Sequence, residues 1–230
     1  MRFLDALRGC AGTGHVPVIP DFKMISPAEG ALFAGRDVID AAASMASSGA
    51  PALSVVTEPK HFGGSRELLT RIAGAVNIPI LRKDFVKTPE DIEETAEMGA
   101  DAVLLICSTM EEKTLRELYH VSRELGIDAL VETHSEAELR FAASLGSELV
   151  GINNRDILAL ERDGGTVHTT AELSSTKPEG AFLISESGIR NAEDIQAAIR
   201  SGADAVLIGT AIWKAADPAA YYTALAETKV

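Results

Sequence analysis

Only two cysteines, Cys10 and Cys107, occur in the 230 residues. They form no metal or redox spacing and no disulfide framework, which points to a reducing compartment. Cys107 then reads as a small buried hydrophobe. Long apolar runs are missing too: AVLLIC, at 102–107, falls far short of the ~20 residues of a membrane span. The N-terminus, MRFLDALRGC, carries charge too early and too often for a secretory signal. Together these absences predict a cytoplasmic protein. There is no basic stripe either; Lys and Arg are scattered singly within a net charge of −13. That field repels nucleic-acid phosphates, so an anionic ligand must be met by a local exception to the global sign. None of the five histidines (His15, His61, His120, His134, His168) makes an H-x-x-x-H or related spacing, so no metal is expected, and nothing implies an organic cofactor. His61 and His134 follow apolar runs, where a plain packing role is the simpler reading.

What is present is a repeat. SSGAPALSVV (47–56), EMGADAVLLI (97–106), SLGSELVGI (144–152) and RSGADAVLIG (200–209) each place a Gly before an apolar, β-rich run. Gly49, Gly99, Gly146 and Gly202 recur about every 50 residues. Such a Gly suits the position after a helix, where a left-handed backbone is cheap only without a Cβ. Four further apolar runs, at 17–22, 78–85, 127–134 and 181–187, bring the predicted strands to eight. Between them lie helical stretches at 89–99, 112–126, 135–146 and 191–202, with Leu115, Leu118, Val121 and Leu125 in one apolar stripe. Thr88-Pro89 and Asn191 are suitable helix starts.

Near-continuous apolar strands alternating with amphipathic helices imply a parallel sheet covered by helices. Eight such units in this length predict one α/β domain over 1–230, a (β/α)8 TIM barrel. An open doubly wound sheet would need a Gly-rich phosphate turn after an early strand, and there is none.

In such a barrel the site lies at the C-terminal strand ends. Those ends carry Asp21 and Lys23 (strand 1), Glu58 and Lys60 (strand 2), Lys83 and Asp84 (strand 3), Glu132 (strand 5), Asn153 and Arg155 (strand 6), and Glu186 and Ser187 (strand 7). One charge after a strand is usually a solvated loop residue or a cap. Opposed charges converging from six strands are what catalytic pockets collect. They allow acid–base chemistry, or imine formation by a lysine. SESGI (185–189) and LIGTAIW (207–213) end strands 7 and 8, the usual phosphate pair. Gly188 and Gly209 would admit phosphate oxygens to backbone N–H groups, with Ser26 closing the cup.

DFKMISPAEG, LSVVTEPKHFGGS, PILRKDF, ALVETHSEAEL, VGINNRD, ISESGI and GADAVLIGTAI, in this order from Val16 to Trp213, resemble the strand-end motifs of the indole-3-glycerol phosphate synthase family. The resemblance implies a cofactor-free carboxy-lyase of tryptophan biosynthesis. Such an enzyme closes a pyrrole ring on 1-(2-carboxyphenylamino)-1-deoxyribulose 5-phosphate with loss of carbon dioxide and water. It implies Lys83 as general acid, Glu132 as general base, and Lys23 as a second lysine near the substrate carboxylate. It also implies Asn153, Arg155, Glu186 and Ser187 as substrate-facing groups, with Phe62 and Phe85 as walls for the aromatic ring. Ser26, Gly188, Gly209 and Thr210 fall at the family's phosphate positions. The implied partner is a small phosphorylated substrate, and the family setting leaves room for weak association with other tryptophan-pathway enzymes.

Two departures stand out. Asp21 occupies a position where the family usually has Glu, shortening the carboxylate's reach by roughly 1.5 Å and putting its pairing with Lys23 in question. Met24 replaces a basic or small residue. The N-terminal extension is also short: residues 2–9 can supply one helix where the family often has more, including a helix over the barrel mouth. The competing readings are another sugar-phosphate barrel enzyme (a phosphoribosylanthranilate isomerase or an imine-forming aldolase) and a non-catalytic phosphate-binding relative.

Overall fold

A computed structural model describes residues 2–155 and 167–230; Asp156, the last residue of GINNRD, lies outside them. Eight parallel strands close into a barrel in chain order: β1 (Val18–Phe22), β2 (Leu53–Val56), β3 (Ile80–Lys83), β4 (Ala102–Ile106), β5 (Asp128–Thr133), β6 (Leu149–Asn153), β7 (Phe182–Glu186) and β8 (Ala205–Ile208). β8 returns to pair with β1, Ile19 opposite Leu207. The predicted (β/α)8 architecture is present.

The α-helices among the described residues are α1 (Phe3–Ala11), α2 (Val38–Ser47), α3 (Pro59–Phe62), α4 (Arg66–Ala73), α5 (Pro89–Glu97), α6 (Glu112–Glu124), α7 (Glu136–Ser144), α8 (His168–Leu173), α9 (Ala192–Arg200), α10 (Thr210–Lys214) and α11 (Pro218–Ala226). Local chemistry sets their starts. Thr88 accepts from Asp91 N–H while the Asp91 carboxylate accepts from Thr88 N–H, a reciprocal cap; Asn191 caps α9 by accepting from Asp194 N–H. The four repeat glycines all have positive φ, as expected at helix ends.

Side-chain alternation along the strands builds two cores. Val18, Val55, Val103, Val131, Leu183 and Val206 face the helices; Ile19, Leu81, Leu104, Leu130, Ile184 and Leu207 fill the barrel. The same alternation carries polar residues inward near the strand ends: Asp21 follows Ile19, Lys83 follows Leu81, Glu132 follows Leu130, and Glu186 follows Ile184.

The expected N-terminal helix exists as α1, but at the end of the barrel away from the mouth. Phe3, Leu4 and Leu7 join the interior cluster. The Arg2 guanidinium and the Leu4 N–H both bind Asp128, the first residue of β5. An apolar stripe whose first residues bind the start of a strand can only close the lower end, so α1 is a plug and not a lid.

Candidate active site

The strand C-termini surround a cavity of about 690 Å³. Its walls include Asp21, Lys23, Ser26, Phe62, Lys83, Phe85, Glu132, Asn153, Arg155, Ser187, Gly188, Gly209 and Thr210, so all but one of the site residues that the family resemblance implies border it, while the strand-end Lys60 does not. The exception, Glu186, lies beneath the floor, fully buried. Lys23, Lys83, Arg155, Arg190 and Lys214 bring five cationic side chains to this mouth. The same walls carry five carboxylates, Asp21, Glu29, Glu58, Asp84 and Glu132, so the mouth offsets the chain's acidic excess without reversing its sign, and a phosphate would be met by individual cations.

Lys83 is the centre of the arrangement. Its Nζ lies 3.4 Å from Glu132 Oε2 and 3.3 Å from Glu186 Oε2. Burial alone would lower the ammonium's pKa. The charges of Glu132, Glu186 and Asp21 outweigh that and hold Lys83 above the ordinary lysine range. Glu186 responds in the opposite sense. Desolvation, aided by the neighbouring Glu132 charge and opposed by Lys83, pushes its carboxyl up to about 7. Gly151 makes room for it: a Cβ there would stand 2.1 Å from Glu186 Oε1.

Asp21, the residue a methylene short, is buried and receives a 2.7 Å hydrogen bond from Ser54 Oγ–H on β2. Strand register places the two side by side. A Cβ on Gly209 would approach Asp21 atoms to 3.1–3.2 Å, so Gly209 allows β8 to close against β1. Met24 packs, partly buried, against the outer core, and it is not among the residues that line the cavity.

At the end of the cavity built by SESGI and LIGTAIW, Ser26 is buried in a short ladder, Ile25–Ser26 against Gly30–Ala31. The ladder's turn is tied to α10 by Glu29 with Lys214. Ser187 and Gly188 both have positive φ (65° and 74°), an unusual backbone for a serine. The clamp that holds it is Asn154. Its Nδ2 donates to Ser185 Oγ, Glu186 O and Ser187 O at 2.9–3.1 Å, and its Oδ1 accepts from Thr170 N–H and Oγ1–H.

Two strand-end acids prove to be architectural. Glu58 accepts three backbone N–H bonds at the start of α3, and these hold its carboxyl below its ordinary value although burial opposes them. Asp84 accepts from Thr57, Arg82 and the Phe85 N–H. The sequence alone does not single out Asn154, although it lies inside GINNRD, nor Ser54, Arg190 and Lys214. Strand register is the available signal for Ser54; the others depend on how loops fold back. Among the described residues no group of three or more His, Cys, Asp or Glu side chains suits a metal ion, and no helix is long and apolar enough to cross a membrane.

Comparison with known proteins identifies the family. A family model described as indole-3-glycerol phosphate synthase matches residues 1–225. The chain is 42% identical over 214 residues to a protein of that name from Pyrococcus abyssi, and 43% identical over 213 residues to one from Thermococcus kodakarensis; both matches cover 93% of each chain. A relative of the same name from Haloarcula marismortui is 42% identical over 212 residues, 90% of this chain and 75% of that protein. The chain belongs to the indole-3-glycerol phosphate synthase family.

Proposed function

We propose that this chain is an indole-3-glycerol phosphate synthase of tryptophan biosynthesis in which Lys83 is the general acid and Glu132 the general base. The observation that carries the assignment is the Lys83 ammonium, held between two buried carboxylates at the inner face of a cavity of about 690 Å³. The substrate phosphate binds at Ser26, Ser187, Gly188, Gly209 and Thr210, and its aromatic ring lies between Phe62 and Phe85. Lys23 meets the substrate carboxylate. Asn153 and Arg155 orient the chain between ring and phosphate. The molecule works as one domain over 1–230, in the cytoplasm, on a free small molecule.

Ring closure forms a carbon–carbon bond between the ring carbon bearing the carboxylate and the ketone carbon. Lys83 protonates the oxygen that gains charge, and carbon dioxide leaves from the ring. Dehydration then removes that oxygen as water, with a second proton that Lys83 has regained from solvent, while Glu132 takes the carbon-bound proton. One positioned acid or base contributes on the order of 10²–10⁴-fold. Tight pairing of Lys23 with the carboxylate would stabilise the ground state and slow its loss.

An ammonium between two full negative charges donates poorly. Glu186, whose carboxyl is pushed up to about 7, supplies the remedy: when it carries a proton, only Glu132 holds Lys83 at close range. The same carboxylate pair argues against an imine-forming aldolase, because a lysine kept protonated has no lone pair for a carbonyl. Incubation with the carboxyphenylamino-deoxyribulose phosphate is expected to yield indole-3-glycerol phosphate, with no adduct trapped by borohydride. A trapped Lys83 adduct, or absence of product, contradicts the proposal.

A further inference from the structure

Glu132 is fully buried, and its two oxygens have different neighbours. Oε2 faces Lys83. Oε1 faces His134 Nε2 at 3.4 Å, within ion-pair reach, and both atoms are buried with no hydrogen bond to each other or to another described group. Period-2 spacing explains the meeting: Glu132 lies in β5 and His134 directly follows its last residue, Thr133, so the two side chains leave the chain on the same side.

The other side of the imidazole is also engaged. Nδ1 lies 3.4 Å from Glu138 Oε2, and the same carboxylate oxygen accepts the His134 backbone N–H at 2.7 Å. Glu138 is itself fixed by the start of α7, where the Ser135 hydroxyl accepts the Glu138 N–H. The ring is therefore wedged between two carboxylates, one anchored by a helix cap. A neutral imidazole has one N–H and would turn a lone pair toward one of them; an imidazolium donates to both.

We propose that His134 is a positioning residue for the base: braced by Glu138, its imidazolium engages Glu132 Oε1 and leaves Oε2 as the oxygen presented to Lys83 and the substrate. This rests on the assignment of Glu132 as general base. A carboxylate free to rotate would exchange its two oxygens at the reacting proton, and an angstrom of misplacement costs heavily in such a step. The surroundings are consistent with a charged ring. Burial opposes its protonation, but Glu138 and Glu132 at close range and Glu186 from β7 raise it above the ordinary histidine range. From the turn after β4, Cys107 keeps its proton, since burial and the charges of Glu138, Glu132 and Glu112 raise its thiol, so it adds no competing charge. Lys83, on the far side of Glu132, is the cation among these described neighbours and pairs with the other oxygen.

The test uses the full chain, with histidine-resolved NMR titration beside steady-state kinetics. The His134 midpoint is expected above ~6.5, falling by about half a pH unit or more in both Glu132→Gln and Glu138→Gln. A midpoint unmoved in Glu132→Gln overturns the proposed contact, whatever the enzyme's activity. In kinetics, His134→Leu is expected to lower kcat about tenfold with KM changed less than about twofold. His134→Gln, which keeps a donor near Nε2, is expected to recover most of that loss. Leucine and glutamine variants equally impaired, or a leucine variant with full kcat, contradict positioning. Failure of the wild type to make indole-3-glycerol phosphate would instead strike the synthase assignment, and the titration would still decide whether His134 and Glu132 are coupled.

Discussion

Lys83, Glu132 and Glu186 form one charged unit, and the shifts of Lys83 and Glu186 run in directions that make a pH dependence readable. Glu186 binds its proton more tightly folded than unfolded, with its carboxyl moved from 4.5 to about 7. Below that value it is neutral; above it, a second full charge grips the Lys83 ammonium. Wild-type kcat is therefore expected to decline as pH rises through about 7, and Glu186→Gln to lose or displace that decline. An identical decline in both proteins contradicts the role given to Glu186. Stability carries the same sign. Between 4.5 and about 7 the unfolded chain binds fewer protons at this residue, so its contribution to stability falls as pH rises. Much of this unit is legible in the sequence: Lys83, Glu132 and Glu186 each follow an inward apolar residue by two positions. Their mutual distances are not, because neighbouring strand ends meet only through barrel closure. His134 shows the limit from the other side. Its place in sequence suggests packing; Glu138, four residues on in the first turn of α7, meets it because the chain passes there from strand into helix.

At the scale of elements, caps and loops decide how firmly the strand ends are held. The starts at Thr88 and Asn191 can be read directly, since a cap bonds within three residues. Asn154 cannot, because its partners lie 16 to 33 positions away. It joins β6, α8 and the β7 end, and it holds Ser187 in a left-handed backbone that a serine rarely adopts. Asn154→Ala leaves three acceptors and two donors without this partner. A stability loss of ~1–3 kcal/mol is expected, measured by urea unfolding. With it should come a rise in KM of about tenfold, because the turn that binds phosphate relaxes. An unchanged KM at full occupancy of the folded state would contradict the clamp.

At the scale of the whole molecule, the barrel separates stability from chemistry. The lower end is closed by α1, whose Phe3, Leu4 and Leu7 are buried among the interior residues; the mouth collects the charges. A helical segment at 2–9 is apparent in sequence, but which end it covers depends on Asp128, far along the chain. Leu7→Ala is expected to cost ~2–5 kcal/mol of folding free energy while kcat and KM of the folded enzyme stay unchanged at moderate temperature. A lost kcat at unchanged stability would show that α1 reaches the chemistry. The central claim, that Lys83 at the floor of this mouth is the acid of a synthase, has one direct test. Indole-3-glycerol phosphate formation is followed in the wild type and in Lys83→Ala, with circular dichroism confirming that both are folded. Turnover by the wild type, reduced at least ~100-fold in the variant, is the expected result; full activity in folded Lys83→Ala would contradict it.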